Sequence, residues 1–217
     1  MTTQTTPGLT IDELADAVTD LGRVALAFGA VNRTAVCWPD GITPESDTDH
    51  TVMLGWVACS LAARYFPMLD VGLVAQFALI HDAPEVYAGD TPTLRIDQAG
   101  KTAKAAREAA AVRRLHDEFS ETLSWLPMLL TAYEEQQLPE ARYVRGVDKI
   151  LPKVVHILDG CAGLIDHGMG SAELEEVFSQ QEADMAAYVG EFAELMALRA
   201  ELVDRTMRLR CALERQP

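Results

Sequence analysis

Apolar residues recur at three- and four-residue spacing along most of the chain. Ile11, Leu14, Val18, Leu21 and Ala25 share one stripe behind a Thr10/Glu13 capping box, which predicts a helix over residues 11–28. The period stops over residues 29–49, where Val36-Cys37-Trp38, Pro39-Asp40-Gly41 and Ile42-Thr43 read as a short hairpin turned by proline and glycine. It resumes with His50, Leu54, Val57 and Leu61, and Asp49 is placed to cap a helix over residues 50–66. Residues 70–80 are apolar nearly all round, as in a helix at the centre of a bundle. Pro84 ends or kinks that helix, Gly89 lets the chain reverse, and Asp90-Thr91-Pro92 leaves as a rigid polar loop.

Residues 101–124 carry sparse apolar positions among Ala, Arg and Glu and read as an exposed helix, followed by a shorter helix over 126–138 closed by Pro139. Another helix spans about 140–161, and a last helical region capped by Ser171 runs to about residue 210. The Thr-rich residues 1–8 are expected to fray. Strand signal is confined to the hairpin, so the fold class is all-α. The chain reads as a single domain over 1–217, with a core over about 10–168. Helices over about 171–213 then pack on the bundle or on a second subunit.

A chain of 217 residues, 49% hydrophobic and 24% charged, is globular and long enough for a core without covalent staples. Its 18 Lys and Arg against 33 Asp and Glu give a net charge of −15, which argues against a nucleic acid polymer as partner and leaves a small phosphate ester open. The four cysteines are too far apart for a thiolate zinc site. With no signal-peptide pattern and no apolar span of membrane length, the expectation is a reduced, cytoplasmic protein without a membrane partner.

Charge matters most where it interrupts an apolar face. His50 lies on the stripe of its helix, His81 and Asp82 close the apolar run of residues 70–80, and Asp148 shares a stripe with Val144, Leu151, Val155 and Leu158. Taken singly, a histidine on such a stripe is more often a satisfied core residue than a ligand. A buried unpaired carboxylate, however, is costly. Two imidazoles and two carboxylates together suit one divalent ion such as Mn²⁺, Co²⁺, Fe²⁺, Ni²⁺ or Zn²⁺. His116, among charged neighbours, reads as solvated, and His156 and His167 as structural or exposed. Arg33 and Trp38 stand in the long loop either as functional side chains or as a surface Arg and a Trp that folds the loop onto the core.

The order His50, His81-Asp82, Asp148 resembles the H…HD…D signature of the HD-domain metal-dependent phosphohydrolases. His81-Asp82-Ala83-Pro84-Glu85 followed by Gly89-Asp90-Thr91-Pro92-Thr93 is similar to the HD-A-x-E…G-D-x-P-T segment of bacterial HD-domain 5′-deoxynucleotidases and of related phage deoxynucleoside triphosphohydrolases. The resemblance implies an HD-domain helical bundle, with His50, His81, Asp82 and Asp148 binding one metal. It implies Glu85 as the acid/base, Asp90 as a second carboxylate near the attacking water or leaving oxygen, and Arg33 as the phosphate contact. Trp38 and Thr91 are carried as substrate-binding candidates, and a homo-oligomer is implied. One departure concerns the loop: in the nucleotidases a tryptophan follows the arginine directly, whereas here Thr34-Ala35-Val36-Cys37 intervenes. The expected activity is release of phosphate from deoxynucleoside 5′-monophosphates. The alternatives are deoxynucleoside triphosphate hydrolysis and a non-catalytic metal-binding module, the latter disfavoured by the presence of Glu85 and Asp90.

Overall fold

The Thr10/Glu13 capping box forms as the sequence predicts, and α1 runs over Ile11–Phe28. We describe a computed structural model at residues 8–91 and 95–215. The expected fraying of residues 1–7 and the rigid loop at Pro92-Thr93 lie outside the described residues. Only Ala17 of α1 is buried, with Leu21 and Val24 packed on the core, while Ile11, Leu14, Val18 and Leu26 stay exposed.

Strands β1 (Asn32–Cys37) and β2 (Pro44–Ser46) pair antiparallel, Asn32 with Ser46 and Cys37 with Pro44, with an irregularity between the two registers. Ala35 sits at that irregularity with a positive φ of 62°. The hairpin hands the chain to α2 (Asp47–Tyr65), whose N-cap is Ser46 rather than Asp49. Asp49 is instead the reciprocal partner of the capping box, its carboxylate accepting from the Ser46 backbone N–H at 3.1 Å. The helix therefore starts three residues before the predicted position and brings Asp47 onto it, one turn from His50.

Asp70 caps α3 (Val71–Ile80), which lies against α2, α6 and α7 and buries Val74, Phe77, Ala78 and Ile80. After a turn at His81–Pro84 the short α4 (Glu85–Ala88) ends at Gly89, whose φ of 68° favours glycine. Next come α5 (Gln98–Phe119), α6 (Trp125–Glu135) and α7 (Pro139–Leu158), the last a continuous helix with Pro152 inside it. The short α8 (Ala162–Asp166) follows.

The region predicted as one long helix from residue 171 is two, α9 (Ser171–Val189) and α10 (Ala193–Glu214). The break at Gly190–Phe192 turns Phe192 into the core, where its ring meets Tyr143 at 5.5 Å and Phe66 at 5.5 Å. Met185, Val189 and Leu195 join the same core cluster as α2, α3 and α7, so the C-terminal pair packs within the chain. Among the described residues there are ten helices and one two-stranded sheet, and no helix is long and apolar enough to cross a membrane.

The hairpin is fixed by a close backbone approach. A Cβ placed on Gly163 of α8 would lie 2.5 Å from the Ala35 carbonyl oxygen. Gly163→Ala is therefore expected to push β1 off α8 at a cost of about 1–3 kcal/mol, read by denaturant unfolding. Unchanged stability would show that the hairpin is not held there.

Candidate metal centre and active-site cavity

Four side chains from three parts of the chain meet at the bundle's centre. His50 comes from α2, His81 and Asp82 from the end of α3, and Asp148 from the middle of α7; one ligand atom of each lies within 4.8 Å of all the others. His81 Nδ1 donates to the Ala78 carbonyl at 2.9 Å, leaving the Nε2 lone pair to face the cluster. That Nε2 is buried with no hydrogen-bond partner, 3.0 Å from Asp82 Oδ2 and 3.9 Å from Asp148 Oδ1. His50 Nε2 is 2.9 Å from Asp148 Oδ1, and its Nδ1 faces Glu45 at 3.7 Å. An orphaned imidazole nitrogen, a second imidazole and two convergent carboxylates fit a divalent metal ion.

The arginine and the glutamate converge on the same point. Arg33 Nη1 donates to Asp82 Oδ2 at 2.6 Å, and its guanidinium lies 3.6 Å from Asp47, 3.9 Å from Glu45 and 3.9 Å from Asp148. Burial works to lower its pKa, but Asp82, Asp148 and Glu85 outweigh burial and raise it. Burial likewise opposes ionisation of Asp82 and Asp148. Asp82 is nevertheless held below the usual carboxylate range by His81 and Arg33, and Asp148 by Lys149, His50 and His81. His50 is raised to about 9, since its hydrogen bonds to Asp148 and Glu45 exceed the effect of burial.

Glu85 shows the opposite behaviour. It is 6% exposed, Oε2 has no hydrogen-bond partner, and burial followed by Asp82, Asp47 and Asp90 pushes its pKa up to about 9. A carboxyl that keeps its proton through neutrality is suited to general acid chemistry.

The remaining candidates separate. Asp90 lines the cavity and accepts from the Thr34 backbone N–H at 2.7 Å, tying its loop to the strand that carries Arg33. Thr91 lines it too, its hydroxyl accepting from Arg107 at 2.7 Å. Trp38 lies elsewhere: half-exposed, it donates to Asp49 at 3.3 Å and faces a separate shallow groove with Val52, Trp56 and Leu158. His116 is half-buried and paired with Thr131 at 2.9 Å, and His156 is buried.

Two carboxylates escaped the sequence reading. Asp47 is fully buried with neither oxygen hydrogen-bonded, and Glu45 is 4% exposed behind His50. The i, i+3 relation of Asp47 to His50 would have revealed the first, had the helix been started at residue 47.

The cavity lined by Arg33, His81, Asp82, Glu85, Asp90 and Asp148 has a volume of about 330 Å³, within the range of small-ligand sites. It continues past Asp148 along α7 to α9. A helical bundle with this buried quartet and an adjoining acid defines a metal-dependent hydrolase. More particularly, the chain belongs to the HD-domain family, whose model matches residues 30–191.

Among curated proteins it is similar to a 5′-deoxynucleotidase of Vibrio parahaemolyticus, 24% identical over 72% of this chain and 85% of that one. It is also similar to a 5′-deoxynucleotidase of Vibrio cholerae, 27% identical over 70% and 82%. Among solved structures, a protein described as a predicted metal-dependent phosphohydrolase from Magnetospirillum magnetotacticum superposes with a TM-score of 0.72. It is 23% identical, over 92% of this chain and 96% of that one, and so shows the shared fold.

Proposed function

We propose that the protein is a metal-dependent phosphomonoesterase releasing phosphate from deoxynucleoside 5′-monophosphates. The observation that carries this reading is the convergence of Arg33 and Glu85 on the His50, His81, Asp82, Asp148 quartet within one cavity. The quartet would hold one divalent ion, of the Mn²⁺, Co²⁺, Fe²⁺, Ni²⁺ or Zn²⁺ type, which when bound acidifies water and offsets phosphoryl charge. Arg33 supplies a permanent positive charge for the phosphate oxygens. Glu85 moves the proton between water and leaving oxygen, and Asp90 holds β1, and so Arg33, in place through Thr34. Thr91 borders the same space; Trp38 takes no part. The names of the Vibrio relatives support deoxynucleotides as the substrate class.

Incubation with each deoxynucleoside monophosphate and Mn²⁺ or Co²⁺ is expected to release inorganic phosphate. Absence of phosphate with every member would overturn the reading. Arg145, Lys149 and Lys104 along the cavity favour a second reading, triphosphate hydrolysis, which tripolyphosphate among the products would establish.

The proposal places the enzyme in a reducing cytoplasm, in keeping with four free cysteines, and gives it no membrane or nucleic acid polymer as partner. It also includes a homo-oligomer, supported by the exposed Ile11, Leu14 and Val18 stripe of α1. Light scattering at a monomer's mass would remove that part.

A further inference from the structure

The far end of the cavity is not needed for the chemistry at the quartet. It lies along the face of α7 that carries Asp148, Pro152 and His156 at i, i+4 and i+8, so His156 sits about 12 Å from the quartet. That is close to the reach from a 5′-phosphate to the far edge of its base. The walls there are apolar: Phe178 is 4% exposed, Met169 is also buried, and Pro152 adds a flat ring.

Among them stand three polar groups whose hydrogen-bonding capacity is not used up. Lys153 Nζ donates to the Lys149 carbonyl at 2.8 Å and to Gln181 Oε1 and lies 5.0 Å from the centre of the Phe178 ring, which leaves its third hydrogen without a hydrogen-bond acceptor. Because Gln181 spends its oxygen on Lys153, its amide nitrogen is free to donate. His156 Nδ1 is buried with no partner. Two neutral oxygens and a ring face do not offset the burial of an ammonium, whose pKa is drawn down to about 7 by burial and then by Arg199 and Lys149. An acceptor arriving on a ligand would complete it.

We propose that this end of the cavity, formed by Lys153, His156, Phe178 and Gln181, is a nucleobase subsite that selects bases presenting adjacent acceptors, a 6-oxopurine foremost. The inference rests on the phosphomonoesterase reading and deepens it. The apolar walls and a neutral His156 suit a base rather than another phosphate. The Lys153 and Gln181 donors match guanine, whose O6 and N7 both accept; adenine turns one of these positions into an N6 donor, which would face a donor. A mismatch of this kind is worth about tenfold or more.

The test compares kcat/KM for dGMP, dAMP and base-free 2-deoxyribose 5-phosphate in the wild type, Lys153→Met and Gln181→Leu, alongside calorimetry of deoxyguanosine and deoxyadenosine binding. The wild type is expected to prefer dGMP about tenfold over dAMP, and each variant to bring that ratio toward one, chiefly through KM. Equal kcat/KM for all three substrates in the wild type overturns the subsite and leaves the phosphatase reading standing, as does a preference unchanged in both variants. If no monophosphate is hydrolysed, the phosphatase reading falls and calorimetry decides alone. Deoxyguanosine binding that weakens in Lys153→Met supports the subsite, and absence of binding overturns it.

Discussion

Glutamine in place of Glu85 is expected to lower turnover by about 10²–10⁴-fold while leaving the metal content of the purified protein unchanged. Glu85 opens α4 just after Pro84, and it points into the cavity from a position three residues beyond Asp82. The substitution keeps volume and shape and removes only the capacity to exchange a proton. It also removes a buried acid that Asp82, Asp47 and Asp90 all repel when it ionises, so the variant is expected to be no less stable than the wild type. Loss of activity with intact metal and intact stability separates a proton-transfer role from a structural one. Turnover within about threefold of the wild type would take Glu85 out of the mechanism.

The quartet was legible in the sequence because its signal is local and physical. His50, His81, Asp82 and Asp148 each break an apolar helical stripe, and helical periodicity alone marks such positions as inward-facing. The start of α1 was legible for the same reason, since the Thr10/Glu13 capping box is made and read within four residues. The start of α2 was not, because Ser46 and Asp49 are both good cap residues. The choice between them is made by β2, which ends at Ser46 where that residue pairs with Asn32 of β1. That error hid Asp47.

The break between α9 and α10 was missed for a related reason. Periodicity continues on both sides of it, and the gain that bends the chain is the burial of Phe192 against Phe66 and Tyr143, which no local pattern shows. Trp38 is a different case: the four residues between it and Arg33 already depart from the nucleotidase spacing in sequence, and in the fold Trp38 faces a separate groove while Arg33 lines the main cavity.

As pH drops below about 6.5, His156→Leu is expected to gain stability relative to the wild type. His156 is 2% exposed on α7, and burial together with nearby Lys153 lowers its pKa to about 3 from an ordinary 6.5. Between those values the unfolded chain takes up a proton that the folded chain refuses, so the unfolded state binds more protons and stability rises with pH. Above the ordinary value both states are neutral and the residue costs nothing; below it the penalty grows until the folded imidazole itself is protonated. A displacement of this size corresponds to a penalty on the order of 5 kcal/mol at the acid end. Asp82 and Asp148, whose pKa values are lowered in the fold, also lose stability in acid, but they do so equally in wild type and variant. The difference between the two unfolding curves therefore isolates the histidine. Denaturant midpoints at a series of pH values should converge on going from neutral to acid if the variant starts less stable, or diverge in its favour if it starts level. Curves that stay parallel from pH 7 to pH 4 would mean that His156 takes up its proton in the folded protein as readily as in the unfolded chain.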